Sequence, residues 1–98
     1  MDIFSLSNKT AIVTGACGLI GREHCRALAE AGANVVVADV RADACAALAA
    51  ELGPQHLGIA VNVTSKNSLV QARDAILARY GRIDVLVNNA AINDMFEN

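Results

Sequence analysis

Three glycines in one short segment are the residues of this chain with the clearest chemical use. Gly15, Gly18 and Gly21 follow a short apolar run and precede a stretch with helical periodicity. Glycine at this spacing lets the backbone turn sharply and approach a ligand, and the start of a helix offers unpaired N–H groups to an anion. A glycine triplet alone is a weak signal, but one placed between a strand and a helix predicts a loop that binds the pyrophosphate of a nucleotide.

Asp39 is the second candidate for a binding residue. It ends the next apolar run, residues 34–38, and lies eighteen positions after Gly21. An acidic side chain at the end of the second strand can accept hydrogen bonds from both hydroxyl groups of an adenosine ribose, and its charge would repel a 2′-phosphate. Arg41, two residues further on, could weaken that discrimination. We therefore expect NAD as the cofactor in preference to NADP.

The rest of the sequence alternates apolar runs with helical segments that can position these residues. Strands apolar along their whole length and separated by helices predict a parallel sheet covered on both faces, and right-handed crossovers make it doubly wound. The expected fold class is therefore α/β, a Rossmann-type β-α-β-α-β-α-β half truncated after the fourth strand. The predicted strands are residues 10–14, 34–38, 57–61 and 84–88, and the predicted helices are residues 19–31, 42–52 and a segment from Thr64 or Ser65 to Gly81.

Length and composition exclude several other classes of protein. With 98 residues the chain holds one domain at most, and we interpret residues 1–98 as the N-terminal part of a single NAD-binding domain. A net charge of −2 and only three aromatic residues argue against a nucleic-acid partner. No apolar run approaches the roughly 20 residues of a membrane span, and no secretory signal is visible. Three cysteines without a C-x-x-C pair predict neither disulfides nor a metal site, so we expect a cytoplasmic protein.

From about Leu6 to Ala91 the chain resembles the short-chain dehydrogenase/reductase family. The resemblance rests on Thr14-Gly15-x-x-Gly18-x-x-Gly21, Asn62-Val63-Thr64 and Asn88-Asn89-Ala90-Ala91, of which the paired asparagines are the most specific. It implies that the three glycines form the pyrophosphate loop, with the backbone of Leu19 and Ile20 lining it, and that Asp39 holds the adenosine ribose.

The resemblance also implies contacts further along the chain. Asn62 and Val63 would contact the edge of the adenine, Asn89 would lie along the adenosine ribose, and Asn88 would brace the central sheet. Aspartate is commoner than asparagine at position 62 in the family. An amide oxygen can still accept a hydrogen bond from the adenine amino group, so the contact is expected to survive.

One departure from the family pattern leaves the branch of the family open. Leu19 stands where the single-domain branch usually has its middle glycine, and the resulting spacing is more typical of the extended branch that acts on nucleotide sugars. The paired asparagines favour the single-domain branch. Two alternatives to an NAD-dependent oxidoreductase of the single-domain branch remain open. They are a non-catalytic dinucleotide-binding module and a fragment of an extended-branch epimerase or dehydratase.

Catalysis in the family uses a serine together with a Tyr-x-x-x-Lys pattern. The chain has one tyrosine, Tyr80, and Asp84 stands where the lysine would be, so no catalytic residue is assigned. We expect Tyr80 to pack on a helix face, and His24 and His56 to lie at the surface. The 98-residue chain is thus expected to be the inactive front part of a longer, homo-oligomeric oxidoreductase that transfers hydride between NAD and an alcohol or ketone substrate.

Overall fold

Residues 5–89 are described by the computed structural model of the chain, and they form a parallel sheet with helices on both faces. The predicted α/β fold is confirmed, and strand bounds differ from the prediction by one residue at three places. Residues 1–4 and 90–98 lie outside the described residues, including Ala90 and Ala91 of the family motif. The elements are β1 (Thr10–Thr14), α1 (Leu19–Glu30), β2 (Asn34–Asp39), α2 (Ala42–Leu52), β3 (Leu57–Ala60), α3 (Lys66–Tyr80) and β4 (Val85–Asn88).

The strand order β3-β2-β1-β4 places β1 inside the sheet. Ala11 of β1 pairs in register with Val35 of β2 on one side and with Val85 of β4 on the other, and all the pairings are parallel. The chain first winds outward from β1 to β3 and then crosses back to add β4 on the opposite side of β1. Sheets of this kind bind ligands in the crevice at the carboxyl ends of the strands, where the winding direction changes. Here that point is the end of β1.

The two faces of the sheet are buried to different extents. On one face, α1 and α2 cover the alternate strand residues and form the larger core. The other face, covered by α3, has a much smaller buried cluster, and Leu86 of β4 is 63% exposed there. The larger core includes Ala11, Val13, Val35, Val37, Cys25, Cys45 and Leu48, and the smaller one Ala38, Val61 and Ala72.

All three cysteines of the chain are free and buried. Burial raises the pKa of the Cys25 thiol to about 11 and, together with the neighbouring Cys17, raises the pKa of Cys45 to about 12. The Cys25 and Cys45 thiols therefore stay protonated at neutral pH, and all three cysteines serve as small core side chains.

The third helix has clear signals at both ends. The Ser65 hydroxyl accepts a hydrogen bond from the Ser68 N–H at 3.2 Å, so Ser65 rather than Thr64 caps the helix. At the other end Gly81 adopts a left-handed conformation with φ of 77°, and its N–H donates to the Leu77 carbonyl at 2.8 Å. Among residues 5–89, no helix is long and apolar enough to cross a membrane.

The prediction that His56 lies at the surface is wrong. His56 is only 6% exposed, and its Nδ1 accepts a hydrogen bond from the backbone N–H of Val35 at 2.9 Å. Since Nδ1 must be unprotonated to accept, the ring is neutral with its proton on Nε2. Burial, and to a lesser extent the charge of Arg79, lowers the pKa of His56 below its ordinary value of 6.5. The side chain thus links the loop before β3 to the start of β2.

The buried histidine predicts a loss of stability in mild acid. The unfolded chain binds a proton at His56 near pH 6.5 while the folded chain resists it, so the free energy of unfolding should be constant above that pH and fall below it. One proton limits the slope to about 1.4 kcal/mol per pH unit. Urea unfolding at several pH values between 7.5 and 5.5 measures the slope in the original chain and in His56→Gln. An equal slope in both proteins would contradict the assignment.

Candidate functional site

The loop between β1 and α1 is held against the neighbouring strand by its own backbone. The Ala16 N–H donates to the Ala38 carbonyl of β2 at 3.1 Å, and the Cys17 N–H donates to Oδ2 of Asp39 at 3.1 Å. Gly15 starts the turn with φ of 63°, a conformation that favours glycine. These contacts fix the loop at the carboxyl edge of the sheet.

The other two glycines of the loop have different physical roles. A Cβ at Gly21 would lie 2.3 Å from the Gly15 oxygen and 2.7 Å from Cα of Ala16, so only glycine allows α1 to approach β1 this closely. A Cβ at Gly18 would meet nothing nearer than the Gly15 oxygen at 3.6 Å, and the backbone there has an ordinary extended conformation. Packing of the protein on itself therefore requires glycine at position 21 but does not require it at position 18.

The start of α1 is open to a ligand. Gly18 is the N-cap residue, and within residues 5–89 no side chain accepts a hydrogen bond from the N–H groups of the first turn. The first N–H with an intrahelical acceptor is that of Arg22, which donates to Gly18 at 3.0 Å. Leu19 is 87% exposed and Ile20 is 68% exposed, so two large apolar side chains flank this turn. The first turn thus combines unpaired N–H groups, which suit an anion, with an exposed apolar surface.

Asp39 lies between the glycine loop and Arg41. Its side chain is 7% exposed, and besides the Cys17 N–H it accepts hydrogen bonds at Oδ1 from the backbone N–H and the Nε of Arg41, each at 3.3 Å. Burial acts to raise the pKa of this carboxyl group, but the hydrogen bonds from Arg41 and Cys17 outweigh it and the pKa lies below its ordinary value. Asp39 is therefore a fixed negative charge at the end of β2 at neutral pH.

The residues after β3 lie next to Asp39. The Val61 N–H donates to the Asp39 carbonyl at 2.8 Å, which continues the pairing of β2 and β3 to the edge of the sheet. Asn62 follows and is exposed, whereas Val63 is half-buried and packs against the smaller core. Oδ1 of Asn62 accepts from both the N–H and the hydroxyl of Thr64, at 3.0 and 2.7 Å. This pair of hydrogen bonds was not predicted from the sequence, although Asn-x-Thr is a sequence that favours such a turn.

The paired asparagines end β4 on the other side of β1. The Thr14 hydroxyl donates to Oδ1 of Asn88 at 2.8 Å, so Asn88 connects β4 to β1 at the point where the winding direction changes. Nδ2 of Asn89 lies 3.3 Å from Nδ1 of His24 on α1. The sequence offered no signal for this second contact, because the two residues are 65 positions apart.

The fold brings the predicted site residues to one edge and leaves Tyr80 at the other. Along the carboxyl edge lie Asn62 after β3, Asp39 on β2, the glycine loop after β1 and Asn89 after β4. Tyr80 ends α3, which runs back to the amino edge of the sheet, and its hydroxyl donates to the Gln55 carbonyl at 2.6 Å. Among the described residues, no group of three His, Cys, Asp or Glu side chains could hold a metal ion.

Comparison with known proteins identifies the family of this chain. The family model described as short chain dehydrogenase matches residues 9–98. The chain belongs to the short chain dehydrogenase family. A curated relative, the sorbitol dehydrogenase of Cereibacter sphaeroides, is 43% identical over 90 residues, which cover 92% of this chain and 35% of that protein. This short chain dehydrogenase sequence thus spans about a third of the length of the curated relatives it matches.

Solved structures agree with the assignment. The crystal structure of hydroxysteroid dehydrogenase from Escherichia coli matches with a TM-score of 0.81 and 39% identity, over 87% of this chain and 37% of that one. The 3-ketoacyl-(acyl-carrier-protein) reductase from Brucella melitensis, complexed with NADH, matches with a TM-score of 0.80 and 30% identity, over 84% and 34% of the two chains. The short chain dehydrogenase fold of residues 5–89 is therefore shared with dehydrogenases and reductases of known structure.

The contrast between the two glycines predicts unequal losses of stability from the same substitution. Gly21→Ala should lower the free energy of unfolding by about 1–3 kcal/mol, because α1 must move away from β1. Gly18→Ala should lower it by less than about 1 kcal/mol, because the added methyl group meets no close neighbour and the N-cap has no side-chain bond to lose. Urea unfolding followed by circular dichroism measures both. Equal losses in the two variants would contradict the distinction between the two positions.

Proposed function

We propose that this chain forms the NAD-binding part of an oxidoreductase that transfers hydride between NAD and an alcohol or ketone. The observation that carries the proposal is the position of Asp39, a nearly buried carboxylate that adjoins the glycine loop at the carboxyl edge of the sheet. The Brucella reductase, which shares this fold, was solved in complex with NADH, and this supports a dinucleotide as the ligand.

The loop has the space and the donors that a pyrophosphate requires. Gly18 leaves room where a side chain would stand, and the N–H groups of Leu19, Ile20 and Gly21 have no acceptor four residues earlier in the helix. The positive end of the α1 dipole lies at the same place. In this proposal the pyrophosphate accepts hydrogen bonds from these groups, and the exposed side chains of Leu19 and Ile20 contact the less polar parts of the cofactor.

Asp39 would bind the ribose of the adenosine. Its Oδ1 already accepts two hydrogen bonds from Arg41 and its Oδ2 accepts one from Cys17, so a second lone pair on Oδ2 can accept from a ribose hydroxyl. The negative charge disfavours a 2′-phosphate at the same place, while Arg41 at 3.3 Å offsets part of that charge. Asn62, Val63 and Asn89 would complete the contacts to the adenosine.

The nicotinamide of the bound cofactor supplies the hydride chemistry, and residues 1–98 supply binding and orientation. The chain lacks a Tyr-x-x-x-Lys pattern, so we propose that it binds the cofactor without turnover on its own. The names of the relatives, a sorbitol dehydrogenase and a hydroxysteroid dehydrogenase, support an alcohol or ketone substrate over a nucleotide sugar. Three free cysteines fit a reducing, cytoplasmic setting, and a homo-oligomer is proposed for the longer protein.

The charge of Asp39 predicts a preference that can be measured directly. The chain should bind NADH at least about tenfold more tightly than NADPH, which corresponds to about 1.4 kcal/mol. Asp39→Asn should weaken NADH binding and reduce the preference to less than about threefold, because the repulsion of the 2′-phosphate is removed. Titration of each cofactor followed by its nicotinamide fluorescence gives the dissociation constants.

Asp43→Asn is the matched control, since Asp43 is exposed on the first turn of α2 and makes the same change of charge four residues away. It should leave the preference unchanged. Arg41→Ala should increase the preference for NADH by removing the positive charge nearest Asp39. Equal affinities for the two cofactors, unaltered by Asp39→Asn, would refute the role of Asp39.

A further inference from the structure

Two of the buried cysteines, Cys17 and Cys45, are bonded to the same residue at the end of β2. The Cys17 N–H donates to Oδ2 of Asp39 at 3.1 Å, and the Cys45 thiol donates to the backbone carbonyl of Asp39 at 3.7 Å. Both side chains belong to the larger core. Cys17 lies in the glycine loop and Cys45 near the start of α2, so the fold brings together two thiols from separate parts of the chain.

The thiols of Cys17 and Cys45 also interact with each other. Burial is the main cause of the raised pKa of Cys45, and the charge of Cys17 and a hydrogen bond with its thiol add to the shift. Among the described residues, Asp39 accepts hydrogen bonds from Cys17 and Cys45 but not from Cys25, the third cysteine of the same core. Since a disulfide requires two side chains that already lie side by side, Cys17 and Cys45 are the pair that can form one.

We propose that Cys17 and Cys45 form a site of reversible oxidation, at which a peroxide creates a disulfide between the glycine loop and α2 and thereby weakens dinucleotide binding. The effect on binding rests on the proposed dinucleotide function, whereas the formation of the disulfide does not. Disulfides in reducing compartments are typically transient and serve to sense oxidants, so such a bond is compatible with three cysteines that are otherwise free.

Cys17 is the thiol that reacts with the peroxide, because it is 5% exposed whereas Cys25 and Cys45 are 0% exposed. Its sulfur attacks one peroxide oxygen, the O–O bond breaks, and Cys17 becomes a sulfenic acid while the second oxygen leaves as water with the thiol proton. The Cys45 sulfur then attacks the Cys17 sulfur. The S–O bond breaks as the S–S bond forms, and the departing hydroxide takes the Cys45 proton and leaves as a second water. Two electrons have passed from the two thiols to the peroxide.

The new bond should disturb the glycine loop. An S–S bond of about 2 Å is shorter than any contact between unbonded sulfur atoms, so the two side chains must approach each other. Cys45 has little freedom to move, because α2 packs so closely on β3 that a Cβ at Gly58 would lie 2.4 Å from its carbonyl oxygen. The displacement therefore falls on Cys17, whose N–H is bonded to Asp39. Since the first turn of α1 follows Cys17 directly, the N–H groups proposed to bind the pyrophosphate move with it.

The first test treats the reduced 98-residue chain, shown to be folded by circular dichroism, with hydrogen peroxide and identifies the products by peptide mass spectrometry. The original chain should lose two hydrogen atoms and yield one pair of peptides joined through Cys17 and Cys45. Cys25→Ala is the matched control and should form the same disulfide. Cys45→Ala should instead gain oxygen at Cys17, and Cys17→Ala should remain unoxidised at Cys45. A disulfide to Cys25, or a folded original chain that forms no disulfide, would overturn the inference.

The second test titrates NADH into the reduced and the oxidised chain after the peroxide has been removed, and follows nicotinamide fluorescence. The oxidised chain should bind NADH about tenfold more weakly, and dithiothreitol should restore the affinity. Cys25→Ala should respond in the same way, whereas the affinity of Cys17→Ala, whatever its value, should not respond to peroxide. If the disulfide forms and the affinity is unchanged, only the inferred regulation is refuted. If the folded, reduced chain does not bind NADH at all, the proposed function fails together with the regulation that rests on it.

Discussion

The contact between α1 and the end of β1 is the constraint on which the whole candidate site depends. With hydrogen as its side chain, Gly21 lets the helix begin directly over Gly15 and Ala16, at a distance that a Cβ would not permit. The loop is then short enough for its N–H groups to reach β2, where Ala16 bonds to Ala38 and Cys17 to Asp39. A helix displaced by the width of a methyl group would break this link between the loop and the acidic residue.

The same close approach recurs where α2 lies on β3. A Cβ at Gly58 would lie 2.4 Å from the Cys45 carbonyl oxygen, so this face of the sheet is packed through glycines at two places. The opposite face under α3 buries fewer side chains and leaves Leu69 and Leu86 partly exposed. The loop and Asp39 are thus held by the tightly packed face. Val63 belongs to the more loosely packed face.

Much of the fold could be predicted because it depends on local patterns. Apolar runs such as residues 34–38 and helical stretches ended by Gly32 or Gly81 indicate strands and helices from neighbouring residues alone. The burial of His56 could not be predicted, because its partner Val35 is 21 residues away and becomes a neighbour only when β3 pairs with β2. The contact of Asn89 with His24 has the same cause. The residues that the sequence pointed to lie at one edge of the sheet, but the atoms that they present could not be predicted.

The hydrogen bonds of Asp39 and Asn62 show how the individual atoms of a side chain determine what it can bind. Each side chain accepts from the backbone N–H two residues later and from the side chain of that same residue, Arg41 in one case and Thr64 in the other. Aspartate has a second oxygen, Oδ2, which accepts only from the Cys17 N–H, so Asp39 can still accept a hydrogen bond after its Oδ1 is used. Asparagine has only one oxygen, so the same turn converts Asn62 into a donor. One local geometry thus gives opposite hydrogen-bonding character to two neighbouring strand ends, and the difference follows from the replacement of one oxygen by an NH₂ group.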